Sequence, residues 1–190
     1  TVTENDFDDA LLWSFASGFD DNAPNINLYQ TSDFLRKDLL LAVGNVDDFF
    51  PTVAAVLLFG KDDRVPELLP RSNITVARFS GDNGNAQLIE AVELKGNMHT
   101  QFEGIMAFIS RYTDLAKERP KRKLELVGDP VVRPRSHYHY YSVAEAVINA
   151  LIHRDLALRE IRTRINIYDS SIEIINPRRT NGFSPPASRA

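Results

Sequence analysis

The chain of 190 residues contains no cysteine and no long apolar run. Without cysteine it can form neither a disulfide framework nor a thiolate metal site. Its longest apolar runs, such as residues 53–59, are much shorter than the roughly 20 residues that span a bilayer. The N-terminal residues 1–6 lack the basic and apolar regions of a signal peptide. We therefore expect a cytoplasmic protein with no membrane partner.

Charge is distributed unevenly along a chain of otherwise ordinary globular composition. Residues 1–112 carry 8 Lys+Arg against 17 Asp+Glu, whereas residues 113–190 carry 14 against 9. The basic stretch 117–135 could attract the phosphates of a nucleotide or of DNA. A solvated loop interrupted by proline is the favoured interpretation of residues 117–123, and the net charge of −4 argues against direct DNA binding.

Apolar spacing predicts three helical or extended segments in the first 60 residues. Short helices are expected within residues 11–19 and within 32–41, the second ending near Gly44. Residues 53–59 form a continuous apolar run followed by a loop, and the run alone does not decide between a buried helix and a strand.

Later segments show clearer periodicity. Residues 74–79 and 88–94 are predicted strands, and residues 163–168 and 171–175 are predicted to form a hairpin. Asn97 is expected to cap a helix whose core residues are Met98, Phe102, Ile105, Met106, Ile109 and Tyr112. We therefore predict an acidic lead-in (1–31), an α/β domain (32–177, subdivided into 32–120 and 121–177) and a flexible tail (178–190).

Three polar residues interrupt an apolar helix that is predicted to start near Ser142. Glu145, Asn149 and His153 are four residues apart, so they form one stripe. Polar groups buried without partners are costly, and a phosphate with its metal would supply partners. A carboxylate can polarise a water molecule, while an amide oxygen suits Mg²⁺ bound to nucleotide phosphates.

Structural alternatives exist for these residues. Ser142 and Glu145 have capping-box spacing, so Glu145 could simply begin the helix. His153 is more often a packed or helix-terminal histidine than a ligand. His137 and His139 share a strand face, but the sequence offers no third metal ligand at a suitable spacing. Asn149 is the strongest functional candidate, because asparagine is a mediocre helix former and is costly when buried unpaired.

Several segments carry a family resemblance. Glu145-Ala-Val-Ile-Asn149-Ala-Leu-Ile-His153-Arg154-Asp155, with residues 165–169 and 172–177, resembles the ATPase-like C-terminal region of bacterial transcriptional regulators and ATP-dependent helicases of a RecG-like C-terminal family. Residues 54–61 and 78–81 resemble the preceding part of that family, so the resemblance spans roughly 33–177. The ATPase-like region is similar to the ATP-binding domain shared by gyrase, the Hsp90 chaperone, histidine kinases and MutL.

The resemblance implies an α/β (α+β) fold of the histidine-kinase-like ATPase type, with a mixed sheet, helices packed on one face and an incomplete nucleotide pocket. Glu145 matches the water-activating acid, and Asn149 matches the magnesium-binding amide. His153, Arg154 and Asp155 match a His-Arg-Asp signature to which we assign no separate chemical role. Together with Asn149 and Asn176, these three residues form the expected cofactor-binding set. ATP and Mg²⁺ are the implied cofactors, with weak ATP hydrolysis as the implied activity.

The chain departs from the family pattern after the hairpin. Where complete ATPases carry an Asp-x-Gly-x-Gly loop, this sequence reads Asn176-Pro177-Arg178-Arg179, with no glycine before Gly182. A glycine-rich lid over the phosphates would be expected beyond residue 190. The family context also implies that a separate N-terminal AlbA-like domain contacts DNA. The alternative is a non-catalytic regulatory or dimerisation module, in which the protein forms a homodimer.

Overall fold

A mixed sheet of four strands is the largest sheet in the part of the chain that the structure describes. This structure is a computed structural model, and it describes residues 2–18, 31–44, 49–82, 85–117, 138–158 and 162–177. The strands are β1 (Ala42–Val43), β2 (Phe50–Pro51), β3 (Ile74–Ser80), β4 (Gln87–Leu94), β5 (Leu115–Ala116), β6 (Tyr138–His139), β7 (Arg164–Ile167) and β8 (Ile172–Ile175). The helices are α1 (Asp9–Ser17), α2 (Thr31–Asp33, continued by a π-helical turn Phe34–Asp38), α3 (Val53–Phe59), α4 (Arg64–Leu68), α5 (Met98–Tyr112) and α6 (Tyr140–Ile152).

The four strands follow the order β4-β3-β7-β8. Strands β3 and β7 are parallel, with Arg78 opposite Ile167, whereas β7 and β8 are antiparallel, with Ile167 opposite Ile172. The central strands are buried, as expected for parallel neighbours, and Val76 and Ile165 are fully inaccessible. The predicted hairpin, the strands near 74–79 and 88–94, and the α/β (α+β) class are confirmed. The histidine-kinase-like type remains a prediction.

The chain divides into two compact units. Unit 1 contains the described residues of Thr1–Ile74 and Glu93–Gln101, and unit 2 contains those of Thr75–Val92 and Phe102–Ala190. This division differs from the predicted boundaries at 31/32 and 120/121. Because the units interleave along the chain, composition shifts in the sequence do not mark their borders.

The N-terminal segment that we expected to be a lead-in belongs to unit 1. Leu12 of α1 is fully buried, and the backbone of Phe7 forms a bridge with Gly60. The Thr31 hydroxyl donates a hydrogen bond to Asp9 at 2.9 Å. The start of the chain is therefore packed, because the apolar residues of α1 contribute to the core.

Helix α3 resolves the ambiguity of the apolar run 53–59. Thr52 precedes the helix in an extended conformation, and its hydroxyl accepts a hydrogen bond from the Ala55 backbone N–H at 3.1 Å. This N-cap satisfies one of the free donors of the first turn. Val56 and Phe59 then bury their side chains on one face.

Asp6 is a nearly buried carboxylate in unit 1. It accepts hydrogen bonds from the Thr3 backbone N–H at 2.7 Å and from Arg64 Nε at 2.6 Å. These two bonds, the one from Thr3 most strongly, lower the pKa of Asp6 below its ordinary value. The carboxylate is thus held in its charged form by donors from two separate segments.

The start of α5 confirms the predicted cap. The Asn97 side-chain oxygen accepts from the Thr100 backbone N–H at 3.0 Å, and its amide nitrogen donates to the Gly60 carbonyl at 3.1 Å. The Asp62 carboxylate accepts from the Asn97 N–H at 2.9 Å. Of the predicted core stripe of α5, Ile105, Met106 and Ile109 are buried, whereas Met98, Phe102 and Tyr112 are half-buried.

Gln101 is a fully buried polar residue that the sequence did not single out. Its side-chain nitrogen donates to the Ser72 carbonyl at 3.0 Å and to the Gly96 carbonyl at 2.9 Å. Gln101 therefore satisfies two buried backbone acceptors with the two donors of its amide nitrogen.

Candidate functional site

Helix α6 carries the candidate site, and it begins earlier than the sequence suggested. Its first residue is Tyr140, and His139 occupies the N-cap position without a side-chain cap. Strand β6, which pairs with β5 through Leu115 and Tyr138, leads directly into the helix. Ser142 therefore lies inside the first turn, and the capping box that would have explained Glu145 does not form. The capping-box interpretation of Glu145 is therefore wrong.

One face of α6 is buried. It consists of Val143, Ala144, Val147, Ala150 and Leu151. The positions repeat at three- and four-residue intervals, so they line a single side of the helix. Strand β8 is one of the elements in contact with α6.

Glu145, Asn149 and His153 lie on the other side and are all exposed. The expectation that this polar stripe would be buried is wrong, because the apolar positions of α6 suffice for one face only. Because the three side chains are exposed, no ligand is required to satisfy their polar groups. What the structure provides is an acid and an amide one helical turn apart, open to solvent on an anchored helix.

The exposed face of α6 has two dissimilar flanks. One is apolar, with Tyr141 at 62%, Ile148 at 42% and Ile152 at 57% relative exposure. The other is polar and carries Ser142, Asn149 and His153. From the helical spacing of 100° per residue, Glu145 lies between the two flanks. The apolar flank was not predicted, since the sequence alone suggested that these residues were core.

His153 ends the helix. Its backbone N–H donates to the Asn149 carbonyl at 3.0 Å, and its side chain is exposed. Its position one turn after Asn149 is as predicted. The structure shows no hydrogen bond of the His153 side chain within the described residues.

Arg154 is placed differently from the residues before it. Its side chain is only 9% exposed, and burial lowers its pKa to about 10. It follows the C-cap residue of α6 and is buried, so it does not share the exposed face of the helix. Its predicted contribution to the same ligand surface is not supported by this position.

Asp155 and Asn176 lie in the segments that follow α6 and β8, and a backbone hydrogen bond joins these two segments. The Asp155 backbone N–H donates to the Pro177 carbonyl at 3.0 Å, and its carboxylate accepts from the Ala157 N–H at 2.9 Å. The Asn176 side-chain oxygen accepts from the Thr163 hydroxyl at 2.8 Å. These bonds indicate that both residues fix the junction, and Thr163 is a partner that the sequence did not reveal.

Arg78 and Asp169 form a second polar cluster. Arg78 donates to the Ile167 carbonyl at 3.2 Å and forms an ion pair with Asp169, which also accepts from the Gly81 N–H at 2.7 Å. The hydrogen bond from Arg78, followed by that from Gly81, lowers the pKa of Asp169. Residues 78–81 and 165–169 both carried the family resemblance, and their contact gives these segments a structural role.

The described residues contain no group of three or more His, Asp or Glu side chains placed to hold a metal ion. Of the basic stretch 117–135, only Lys117 is described, and its Nζ lies 5.2 Å from the centre of the Tyr140 ring. The remainder of that stretch, His137 and the tail 178–190 lie outside the described residues. Among the described helices, none is long and apolar enough to cross a membrane.

Comparison with known proteins gives a fold relationship. No family model and no curated protein matches this chain. The crystal structure of the DIP2311 protein from Corynebacterium diphtheriae is similar, with a TM-score of 0.56 and 21% sequence identity. The match covers 94% of this chain and 32% of that one, so this chain spans about a third of the length of that protein. At this identity the likeness is evidence of a shared fold alone.

Proposed function

We propose that this chain is a nucleotide-binding C-terminal part of a bacterial, DNA-associated transcriptional regulator, and that the exposed face of α6 binds Mg-ATP. The observation that carries the proposal is the pair Glu145 and Asn149, exposed one turn apart on a helix whose opposite face is buried. The absence of the capping box strengthens it, because Glu145 then has no structural task at the start of the helix.

The donor chemistry of this face fits magnesium together with a nucleotide. Mg²⁺ prefers oxygen ligands and keeps several waters, so one protein oxygen plus phosphate oxygens can suffice. Asn149 offers that oxygen, and the described residues offer no cluster that would hold the ion alone. When bound, the ion would neutralise phosphate charge. We therefore expect the metal to bind well only together with the nucleotide.

Glu145 is the proposed general base for hydrolysis. Its carboxylate would accept a proton from the water whose oxygen forms the new bond to the terminal phosphorus, while the bond to the bridging oxygen breaks and ADP leaves. His153 would lie at the edge of the site. Arg154, Asp155 and Asn176 would act indirectly, because their positions stabilise the end of α6.

Thermal unfolding in the presence of Mg-ATP tests binding. A ligand at one hundred times its Kd stabilises the native state by about 2.7 kcal/mol. For a protein of this size that corresponds to a rise in Tm of roughly 5–10 °C. Free Mg²⁺ and ATP with a chelator are the controls, and both should give much smaller shifts. An unchanged Tm at several millimolar Mg-ATP would contradict the proposal.

Hydrolysis is tested separately with Glu145→Ala. The variant should lose ATP hydrolysis by roughly 100-fold or more, the usual scale for a general base, and retain most of the Mg-ATP stabilisation. Glu103→Ala on the exposed side of α5 is the matched control. Hydrolysis that survives in Glu145→Ala would remove this residue as the base.

A non-catalytic regulatory or dimerisation module is the second candidate. It is favoured by the exposed apolar flank of α6 and by Arg178 in place of the family's glycine. In that case Mg-ATP would leave Tm unchanged, while Ile152→Ser would weaken association with a partner or a second copy. The two candidates therefore differ in their response to nucleotide.

A DNA partner and a cytoplasmic location complete the proposal. DNA would be contacted through a separate N-terminal domain. Direct binding by the basic stretch 117–135 is a distinct alternative, which a salt-dependent gel shift with duplex DNA would test. Loss of that shift on neutralising Lys121, Arg122 and Lys123 would support the alternative.

A further inference from the structure

Two turns at one end of the sheet in unit 2 are joined by reciprocal hydrogen bonds. Strands β3 and β7 are parallel neighbours, so the turns that follow them lie at the same end of the sheet. The Gly81 N–H donates to the Asp169 carboxylate at 2.7 Å. In the opposite direction, the Ser170 N–H donates to the Asp82 carboxylate at 2.7 Å. Each turn thus supplies one carboxylate and one N–H, and we call these four residues the turn clasp.

Asp169 makes further contacts that fix the β7–β8 turn against β3. Its carboxylate forms an ion pair with Arg78, whose guanidinium also donates to the Ile167 carbonyl at 3.2 Å. Its backbone N–H donates to the Gly81 carbonyl at 3.3 Å. An asparagine at this position would have nearly the same size but no charge and one acceptor oxygen fewer. Asp169→Asn should therefore loosen the turn without creating a cavity.

The same turn is tied to the start of α6. The Tyr138 hydroxyl donates to the Ser170 carbonyl at 3.3 Å, and Tyr138 lies in β6, two residues before the first residue of the helix. The other end of α6 is tied to the segment after β8, where the Asp155 N–H donates to the Pro177 carbonyl at 3.0 Å. The β7–β8 hairpin therefore holds α6 near both ends. Ser170 joins the clasp through its N–H and Tyr138 through its carbonyl.

We propose that Asp169 is a positioning residue for α6, because it fixes the turn whose Ser170 carbonyl holds Tyr138 and hence the first turns of the helix. Glu145 lies five positions after the first residue of α6, about 7.5 Å along the helix axis, whereas Asn149 lies about 13.5 Å along it and closer to the anchor at Asp155. The clasp should therefore affect the placement of Glu145 more than that of Asn149. The effect on the helix start is independent of nucleotide binding, and its consequence for hydrolysis rests on the proposed function.

Residue-resolved amide hydrogen exchange, followed by NMR, tests the effect on the helix start. The N–H groups of residues 144–147 report on it, because they donate to carbonyls of the first turn. Their exchange should rise at least tenfold in Asp169→Asn and roughly fivefold in Tyr138→Phe, which loses only a hydroxyl. Exchange at residues 149–152 should change much less. Glu173→Gln is the matched control, because this exposed carboxylate of the same hairpin accepts from Asn166 at 2.9 Å outside the clasp, and it should exchange like the wild type.

The double variant tests whether Asp169 acts through Tyr138. If both residues act through the Ser170 carbonyl, Asp169→Asn should add little to the exchange of Tyr138→Phe. Unchanged exchange at residues 144–147 in Asp169→Asn would overturn the proposal, and so would full additivity of the two substitutions. An equal rise at residues 144–147 and 149–152 would also overturn it, because that pattern indicates a general loss of stability.

Steady-state ATP hydrolysis provides the readout at Glu145. Asp169→Asn should lower kcat severalfold and leave KM for Mg-ATP unchanged, because Glu145 is displaced while Asn149 stays in place. Glu173→Gln should leave both constants unchanged. An active enzyme whose kcat is insensitive to Asp169→Asn would overturn the positioning of Glu145. A wild type that neither binds nor hydrolyses Mg-ATP would overturn the proposed function instead, while the exchange data decide the role of Asp169 at the helix start.

Discussion

Replacement of Asn149 by alanine should make the free protein more stable and the protein with Mg-ATP less stable. The Asn149 side chain is exposed, and the described structure shows no hydrogen bond to it. The backbone carbonyl, which accepts from the His153 N–H, is retained in the variant. Alanine is the better helix former by about 0.5 kcal/mol, so Tm of the free variant should rise by roughly 1–2 °C.

The effect reverses when nucleotide is present. Loss of one oxygen ligand to the ion should weaken Mg-ATP binding at least tenfold, which is about 1.4 kcal/mol. At saturating ligand for the wild type, that loss exceeds the gain in helix propensity. The Tm of Asn149→Ala should therefore fall below that of the wild type by roughly 2–4 °C. A purely structural asparagine would not produce this change of sign.

The assay compares thermal unfolding of both proteins, followed by circular dichroism, with and without Mg-ATP. Ser142→Ala is the matched control, because Ser142 is exposed on the same flank of α6 and is not a proposed ligand. It should keep the full shift in Tm. Equal shifts in Asn149→Ala and in the wild type would refute the assignment of Asn149. If Asn149→Ala without ligand lost more than about 1 kcal/mol in the free energy of unfolding, the exposed position of the Asn149 side chain would be contradicted.

Two further predictions concern unit 1. Gln101→Leu should lower the free energy of unfolding, measured in urea, by roughly 3 kcal/mol, because two buried carbonyls lose their donor. Glu103→Leu, at an exposed position of the same helix, is the control and should change the free energy of unfolding by less than about 0.5 kcal/mol. Similar losses in both variants would contradict the buried network. Asp6 has a lowered pKa in the folded state. Its contribution to the free energy of unfolding should therefore be complete above its unfolded pKa of about 3.9, and it should be lost as the pH falls through the lower folded pKa. The difference in Tm between wild type and Asp6→Asn should therefore shrink below pH 4, and a constant difference would refute this linkage.

Elements governed by local chemistry were predictable from the sequence. The Asn97 side-chain oxygen accepts from the backbone N–H of Thr100, only three residues later, so a local pattern sufficed to predict this cap. Alternation of apolar and polar residues predicted the two strands of the hairpin. The helix predicted within 32–41 was only partly correct. In the structure α2 continues into a π-helical turn, and Leu40 then adopts a positive φ of 54°. An exposed leucine gives no local signal for that conformation.

The start of α6 shows why a local motif can mislead. Ser142 and Glu145 have ideal spacing for a capping box, yet the helix begins two residues before Ser142. Its start follows directly from β6, whose partner β5 lies more than 20 residues earlier in the chain. A tertiary pairing thus fixed the helix start, and sequence spacing carried no information about it.

Burial was the other property that local patterns did not provide. Gln101 is fully buried although glutamine is usually exposed, because its two acceptors come from loops at residues 72 and 96. Conversely, Ile148 and Ile152 are exposed although both are aliphatic. An apolar helix indicates that at least one face is buried, but only the packed structure shows which residues remain accessible.

That exposure changes the argument for function at Glu145 and Asn149. A buried polar stripe would have required a partner on energetic grounds, whereas an exposed stripe has water as its partner. The case now depends on what the face presents together: an acid, an amide oxygen and an adjacent apolar flank. Because Glu145 lies between the flanks, a ligand on the polar side and a protein on the apolar side would both approach its carboxylate. The two candidate functions of α6 are alternatives that share this side chain, and their different responses to Mg-ATP distinguish them.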